Sequence, residues 1–175
     1  MKDLSLHILD IVENATAAGA RLVEISLKED ASCGELILTV KDNGRGMDLE
    51  FLESVTHPFS TTRTERRVGL GLALLDEAAR QAGGRLEIES EPGRGTCVRA
   101  RFQLHHIDRK PIGDMGATIA ACIMGNPDVD FIVDINISRD TVHLDTRELR
   151  AILDGVSITH PDVIAYVKGL FKKYN

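Results

Sequence analysis

The sequence predicts an α+β fold, a two-layer sandwich with helices on one face of a mixed, mainly antiparallel sheet, followed by a small α+β C-terminal region. Three observations predict it. Apolar residues recur at spacings of three and four over residues 3–18 and 70–82, the period of a helix that buries one stripe. Apolar and polar residues alternate over 22–27, 35–41, 85–90 and 96–104, the period of a half-buried strand. Each strand pair encloses a turn signal, Asp30-Ala-Ser-Cys-Gly34 or Glu91-Pro-Gly-Arg-Gly95, so partners run antiparallel. The order helix, strand, strand, helix, strand, strand then puts both helices on one shared layer.

In the first helix Leu4, Ile8, Ile11, Val12 and Ala15 form the buried stripe, Asp3 offers an N-terminal cap and Gly19 a stop. After the second strand, residues 48–54 suit a short helix and 56–68 are polar without a period. The helix over 70–82 can turn Leu70, Leu74 and Ala78, with Leu75, Ala79 and Ala82, toward the sheet. Strand alternation stops in His105-His-Ile-Asp-Arg-Lys-Pro-Ile-Gly113, which divides the chain into a first domain at 1–104, a linker at 105–113 and a C-terminal domain at 114–175. There a helix over 114–124 precedes a hairpin, 130–137 and 141–145, turning at Ser138-Arg-Asp140. Helices over 146–154 and 161–173 follow, with Asp145 or Thr146 and Thr159 as caps.

Composition narrows the function classes. The 175 residues carry 21 basic against 27 acidic side chains, a net charge of −6, so overall charge supports neither nucleic-acid nor membrane binding. Cys33, Cys97 and Cys122 are odd in number and lack metal-ligand spacing, which indicates neither a disulfide framework nor a zinc site. The N-terminal segment has no unbroken apolar run of signal or membrane length, so a cytoplasmic location is expected.

Chemistry gathers in four short segments. Asp10 and Asn14 stand four apart on one helical face, where a carboxylate above an amide suits Mg²⁺ and its waters. Asp42-Asn-Gly-Arg-Gly-Met47 ends a strand in a bend whose glycines, Gly44 and Gly46, let the chain approach a flat ligand. Gly69-Leu-Gly71 opens a helix, whose unpaired N–H groups and dipole favour an anion, although glycines also end strands and start loops in many settings. Gly93-Arg-Gly-Thr96 sits at the second hairpin.

In this order and at these intervals the segments resemble the N, G1, G2 and G3 boxes of the GHKL ATP-binding superfamily, and Thr56-His-Pro-Phe-Ser-Thr-Thr62 resembles the F box of its kinase branch. The resemblance spans roughly residues 1–104 and implies that superfamily's left-handed βαβ (Bergerat) fold, with ATP and Mg²⁺ as cofactors. It implies that Asn14 holds Mg²⁺ against the triphosphate and that the catalytic base falls at Asp10, one methylene shorter than the usual glutamate. Asp42 takes the role of accepting the exocyclic amine of adenine, which guanine lacks, and Thr96 supports the same end. Met47 is pocket wall or core, and Phe59 anchors the lid or is core. Thr61, Thr62, Arg63, Gly69, Leu70, Gly71 and Leu72 fall where the resemblance places the lid and phosphate contacts, with Arg66 and Arg67 adding positive charge. His7, inside the nucleotide-binding segment, reads as a structural residue rather than a phosphoacceptor.

Two functions are expected from this pattern. One is ATP/Mg²⁺-dependent phosphorylation or regulation of a partner protein in trans, since the layout resembles stand-alone anti-sigma serine kinases. The other is a nucleotide-sensing module with little turnover. Glu13-Asn-Ala-Thr-Ala-Ala-Gly-Ala20 is also similar to a mismatch-repair segment, but Ala17 departs from that branch's acidic residue. In the C-terminal region Asp128, Asp130, Asp134 and Asp145 fit hairpin and cap roles better than a cation site, and the 161–173 helix suits either the local core or a homodimer contact.

Overall fold

The architecture is that of a computed structural model, which describes residues 2–50, 52, 70–138 and 140–174. Helix α1 (Leu4–Ala17) begins where the Asp3 carboxylate accepts the Leu6 N–H at 3.1 Å, and it ends before Gly19, whose φ of +78° suits glycine. Strands β1 (Leu22–Asp30) and β2 (Glu35–Asp42) follow, then helix α2 (Leu70–Gln81) and strands β3 (Arg85–Glu91) and β4 (Gly95–Gln103). Leu49, Glu50 and Leu52 carry helical backbone, which begins the short helix expected there.

The six described strands form one open sheet in the order β3-β4-β2-β1-β5-β6, where β5 is Asp130–Ile137 and β6 is Asp140–Asp145. Every neighbouring pair is antiparallel except β1 and β5, which run parallel from Leu22 opposite Asp130 to Lys28 opposite Asn136. This is the mixed, mainly antiparallel α+β sheet that the alternation predicts. The strands expected after the linker therefore lie in the same sheet as those before it. A parallel neighbour to β1 needs a long crossover, and residues 105–129 supply it.

One face of the sheet is apolar. Val23, Ile25 and Leu27, with Leu36, Leu38 and Val40, Val98, Ala100 and Phe102, and Phe131, Val133 and Ile135, are all at most 3% exposed. Alternate residues on the other face are charged, as Glu24, Lys41, Arg99, Arg101 and Glu87, and they pair across strands. Helix α2 meets the core with Leu75, Ala78, Ala79 and Ala82, whereas Leu74, expected on that stripe, is 43% exposed.

The C-terminal helices are α3 (Met115–Gly125), α4 (Thr146–Leu153) and α5 (Pro161–Leu170), with a 3-10 turn at Lys172–Tyr174 closing the segment expected as one helix to 173. Asp145 caps α4 as expected. His160, not Thr159, caps α5, because Pro161 at the first helical position puts the cap one residue later and Thr159 bonds to Ser157 instead. Residues before α3 pass over the start of α1, where the carbonyls of Pro111 and Ile112 accept the Leu4 and Ser5 N–H groups at 2.9 and 2.8 Å. Met115, Ile119 and Ile123 of α3 join Leu4 and Ile8 of α1 in the common core.

Candidate functional site

The apolar inner face of the sheet ends in a polar row. Asp42 on β2 lies opposite Thr96 on β4, and Thr96 lies opposite Ser90 on β3, directly beyond the apolar row Val40, Val98 and Ile88. Alternation puts all three side chains on the side the helices cover, at the strand ends where the chain turns away. Asp42 is only 8% exposed, and its Oδ1 accepts the Gly44 N–H at 2.7 Å.

The bend after β2 is pinned on several sides. The Asn43 side-chain oxygen accepts the Arg21 and Leu22 N–H groups at 2.8 and 2.9 Å. The Arg45 N–H donates to Ala18 at the end of α1, and the Arg45 carbonyl accepts the Gly93 N–H at 2.7 Å, so this bend touches both α1 and the β3–β4 hairpin. Gly46, with φ of +66°, has no room for a side chain, since a β-carbon there would run into the Glu91 carbonyl. A β-carbon on Gly95 would likewise meet the Asp42 carbonyl. These glycines serve the close approach of two backbones as well as any approach of a ligand. The Met47 N–H donates to Ser90 Oγ at 2.8 Å, and its side chain is half-buried.

Helix α1 supplies the second wall. Asp10, Asn14 and Ala18 follow at successive turns, a stripe about 12 Å long at 1.5 Å per residue. At one end a β-carbon on Gly44 would lie 3.1 Å from the Ala18 β-carbon, which sets the Asp42 bend against α1. At the other, a β-carbon on Gly71 would lie 2.8 Å from Asp10 Oδ2, which sets the first turn of α2 against Asp10. Asp10 is half-buried and Asn14 is exposed between the two. The fold thus brings Asp10, Asn14, Asp42, Gly44, Gly46, Met47, Gly71 and Thr96 to one side of α1 and one end of the sheet. Leu72 packs half-buried against the core. Leu70 opens α2, while Phe59, Thr61, Thr62, Arg63, Arg66, Arg67 and Gly69 lie outside the described residues.

The family model for histidine kinase-, DNA gyrase B- and HSP90-like ATPases matches residues 2–106. The chain belongs to that family. Among curated relatives of this ATPase-family chain, a putative sensor protein of Shewanella frigidimarina is 34% identical over 103 residues, 58% of this chain and 16% of that protein. The sensor protein kinase FleS of Pseudomonas aeruginosa is 42% identical over 91 residues, 52% of this chain and 22% of the kinase. The matched segments thus span about a fifth of these relatives. The Aquifex aeolicus MutL ATPase domain complexed with ADP has the same fold, with a TM-score of 0.51 at 20% identity, covering 82% of this chain and 64% of that one.

Within this ATPase fold, burial pushes the Asp42 carboxyl above the ordinary aspartate range, against the opposing pull of the Gly44 and Thr96 amides. The donor set on α1, a carboxylate and an amide oxygen one turn apart and open to solvent at Asn14, fits Mg²⁺, which keeps several waters and takes few protein ligands. Two residues escaped the sequence reading. Sequence marks Asn43 only as part of the glycine-rich bend after the second strand, yet it fixes that bend to β1. Ser90 was read as a strand residue, although a polar residue in line with inward Leu86 and Ile88, just before the Pro-Gly turn, breaks the apolar alternation. His7, expected to be structural, is 2% exposed, and its Nδ1 has no hydrogen-bond partner among the described residues. No described helix is long and apolar enough to cross a membrane. In the C-terminal region Asp130 binds Arg150, Asp134 binds His143 and Asp145 binds Arg147.

Proposed function

We propose that this chain binds ATP with Mg²⁺ between α1 and the polar end of the sheet, and that it phosphorylates or regulates a partner protein in trans. The observation that carries the reading is the stripe Asp10-Asn14-Ala18, bounded by the Asp42 bend at one end and the start of α2 at the other. A polar purine end and an anion-favouring helix start, joined by a metal-suited helix face, match the three chemical parts of a nucleoside triphosphate. Adenine is the base that places a donor opposite the ionised Asp42. Asn14 holds the metal by its side-chain oxygen. Bound there, Mg²⁺ neutralises charge on the polyphosphate oxygens.

Asp10 orients the attacking group, a serine hydroxyl or histidine imidazole of the partner, and accepts its proton as the bond to the γ-phosphorus forms. The bond from that phosphorus to the β–γ bridging oxygen breaks, and ADP leaves. The first turn of α2 presents unpaired N–H groups to the phosphates. The family match, with relatives named as sensor proteins and kinases, supports the phosphoryl-transfer reading. A nucleotide-sensing role is favoured by a different observation: α1, which carries Asp10 and Asn14, is bonded at its start to Pro111 and Ile112 and packs with α3, so one helix links the candidate site to the C-terminal region.

Asp10→Asn separates the two roles. Loss of ATP turnover with ADP affinity unchanged supports the chemical role of Asp10. Equal turnover in both proteins, at whatever level, removes Asp10 from the chemistry and leaves the sensing role.

A further inference from the structure

We propose that Ser90 determines base specificity, by fixing the Thr96 hydroxyl as a hydrogen-bond acceptor toward the purine. The inference rests on the nucleotide-site reading above and concerns its base-recognising end.

Among the described residues Ser90 Oγ makes three close polar contacts. The Met47 N–H donates to it at 2.8 Å, the Gly95 carbonyl lies 2.9 Å away, and Thr96 Oγ1 lies 2.9 Å away. A serine hydroxyl has one proton and two lone pairs. The carbonyl can only accept, so the serine proton goes to Gly95. One lone pair is taken by the Met47 N–H. The remaining lone pair receives the proton of Thr96. This is the one arrangement in which all three contacts are hydrogen bonds at once. A serine proton turned toward Thr96 would leave two oxygens facing each other at the Gly95 contact.

The consequence appears at Thr96. Its only proton points back to Ser90, so any bond it makes toward the cleft must use a lone pair. The neighbouring Asp42 carboxylate, already taking the Gly44 N–H, is also an acceptor when ionised. Two adjacent acceptors face a ligand that must bring donors, directly or through an ordered water. The exocyclic amine of adenine has two donor hydrogens. The oxygen of guanine at the same ring position has none and would meet oxygen with oxygen, which leaves buried polar groups unpaired and is the costly kind of mismatch. Without Ser90 the Thr96 hydroxyl is free to rotate and donate, which accommodates that oxygen. Ser90 also ties the Met47 bend to the β3–β4 turn, a purely structural effect that would weaken all nucleotides alike.

The test is calorimetric titration of the 175-residue chain with ADP and with GDP, both with Mg²⁺, for the wild type and for Ser90→Ala, Ser90→Thr and Thr96→Val. The wild type is expected to prefer ADP. Ser90→Ala should lower the ADP-over-GDP preference roughly 10-fold, the scale of one hydrogen bond, and Ser90→Thr, which keeps the hydroxyl, should retain it. Thr96→Val added to Ser90→Ala should change the preference by less than it does alone, because both remove one bond. A Ser90→Ala protein that loses ADP and GDP affinity equally, its preference intact, overturns the proposal and leaves the nucleotide site standing. A wild type that binds neither nucleotide overturns the site itself. If Ser90→Ala does not fold, Thr96→Val and Ser90→Thr carry the test, and Thr96→Val with unchanged preference refutes it.

Discussion

Gly71 and Asp10 are in contact across two helices: a β-carbon at Gly71 would stand 2.8 Å from Asp10 Oδ2 and 3.0 Å from the Asp10 β-carbon. The glycine in the first turn of α2 therefore makes room for the carboxylate as well as freeing its own backbone. Gly71→Ala should push the Asp10 side chain aside, which the fold tolerates because a side chain yields more easily than backbone. Turnover should fall up to ~10²-fold, the scale for a misplacement of about an ångström, with melting temperature little changed. Steady-state kinetics beside a melting curve check this, and unchanged turnover would show that the contact has no bearing on Asp10.

The strap over α1 gives a stability prediction. Gly113 has φ of +83°, and a β-carbon there would lie 2.5 Å from Asp3 Cγ and 2.7 Å from Ser5 Oγ. Gly113→Ala combines backbone strain with a clash at the cap of α1, and it should cost about 1–3 kcal/mol. Denaturant unfolding measures it. A loss no larger than that of an alanine on an exposed loop would mean that residues 111–113 do not hold the helix.

Most of the first 104 residues were legible in the sequence, for a physical reason. Helix and strand periods were clean in α1, α2 and β1 to β4, and the glycine bends of the site are local features with local signals. What was not legible depends on pairing distant in sequence. No period in Asp130–Ile137 announces that it lies parallel to β1, because a buried strand reads alike beside any neighbour. Leu74 kept the apolar period yet faces solvent, since α2 turns a narrower stripe of Leu75, Ala78, Ala79 and Ala82 to the core. At the candidate site, motif singles out Asp42 and Thr96, but Ser90 gains its meaning only from the register that sets it beside Thr96. The alternation did flag it, as a polar residue in an inward position. The charged residues between Phe59 and Gly69 stay as read from sequence.

Acid should destabilise the protein through His7. Burial, the largest influence, and Lys110 hold its imidazole below the ordinary histidine range, while Asp10 and Asp3 pull the other way. Its lowered folded value means that the unfolded chain takes up the proton first as pH falls. The stabilising contribution is then complete above about 6.5, the unfolded value, and is lost as pH drops toward the folded value. His7→Leu should flatten the stability profile below about pH 6.5, as measured by denaturant midpoints. A slope that persists in the variant assigns the effect to another group.

Asp42 gives a pH dependence to binding. Its folded value is raised by burial, and only the ionised form accepts a hydrogen bond on both oxygens. ADP affinity should fall on acidification, with a midpoint above the ~3.9 of an ordinary aspartate. Titrations at stepped pH check it, and an affinity flat down to that value would show that the ligand does not use this carboxylate.

Titration of ADP into Asp42→Asn beside the wild type asks whether this chain holds an adenine nucleotide with its base on Asp42. The substitution keeps shape, removes charge and turns one acceptor into a donor. The wild type should bind ADP, and Asp42→Asn should bind at least ~10-fold more weakly, the cost of losing a charge-assisted hydrogen bond and leaving polar groups mismatched. ADP binding of equal strength in both proteins would show that the base does not rest on Asp42.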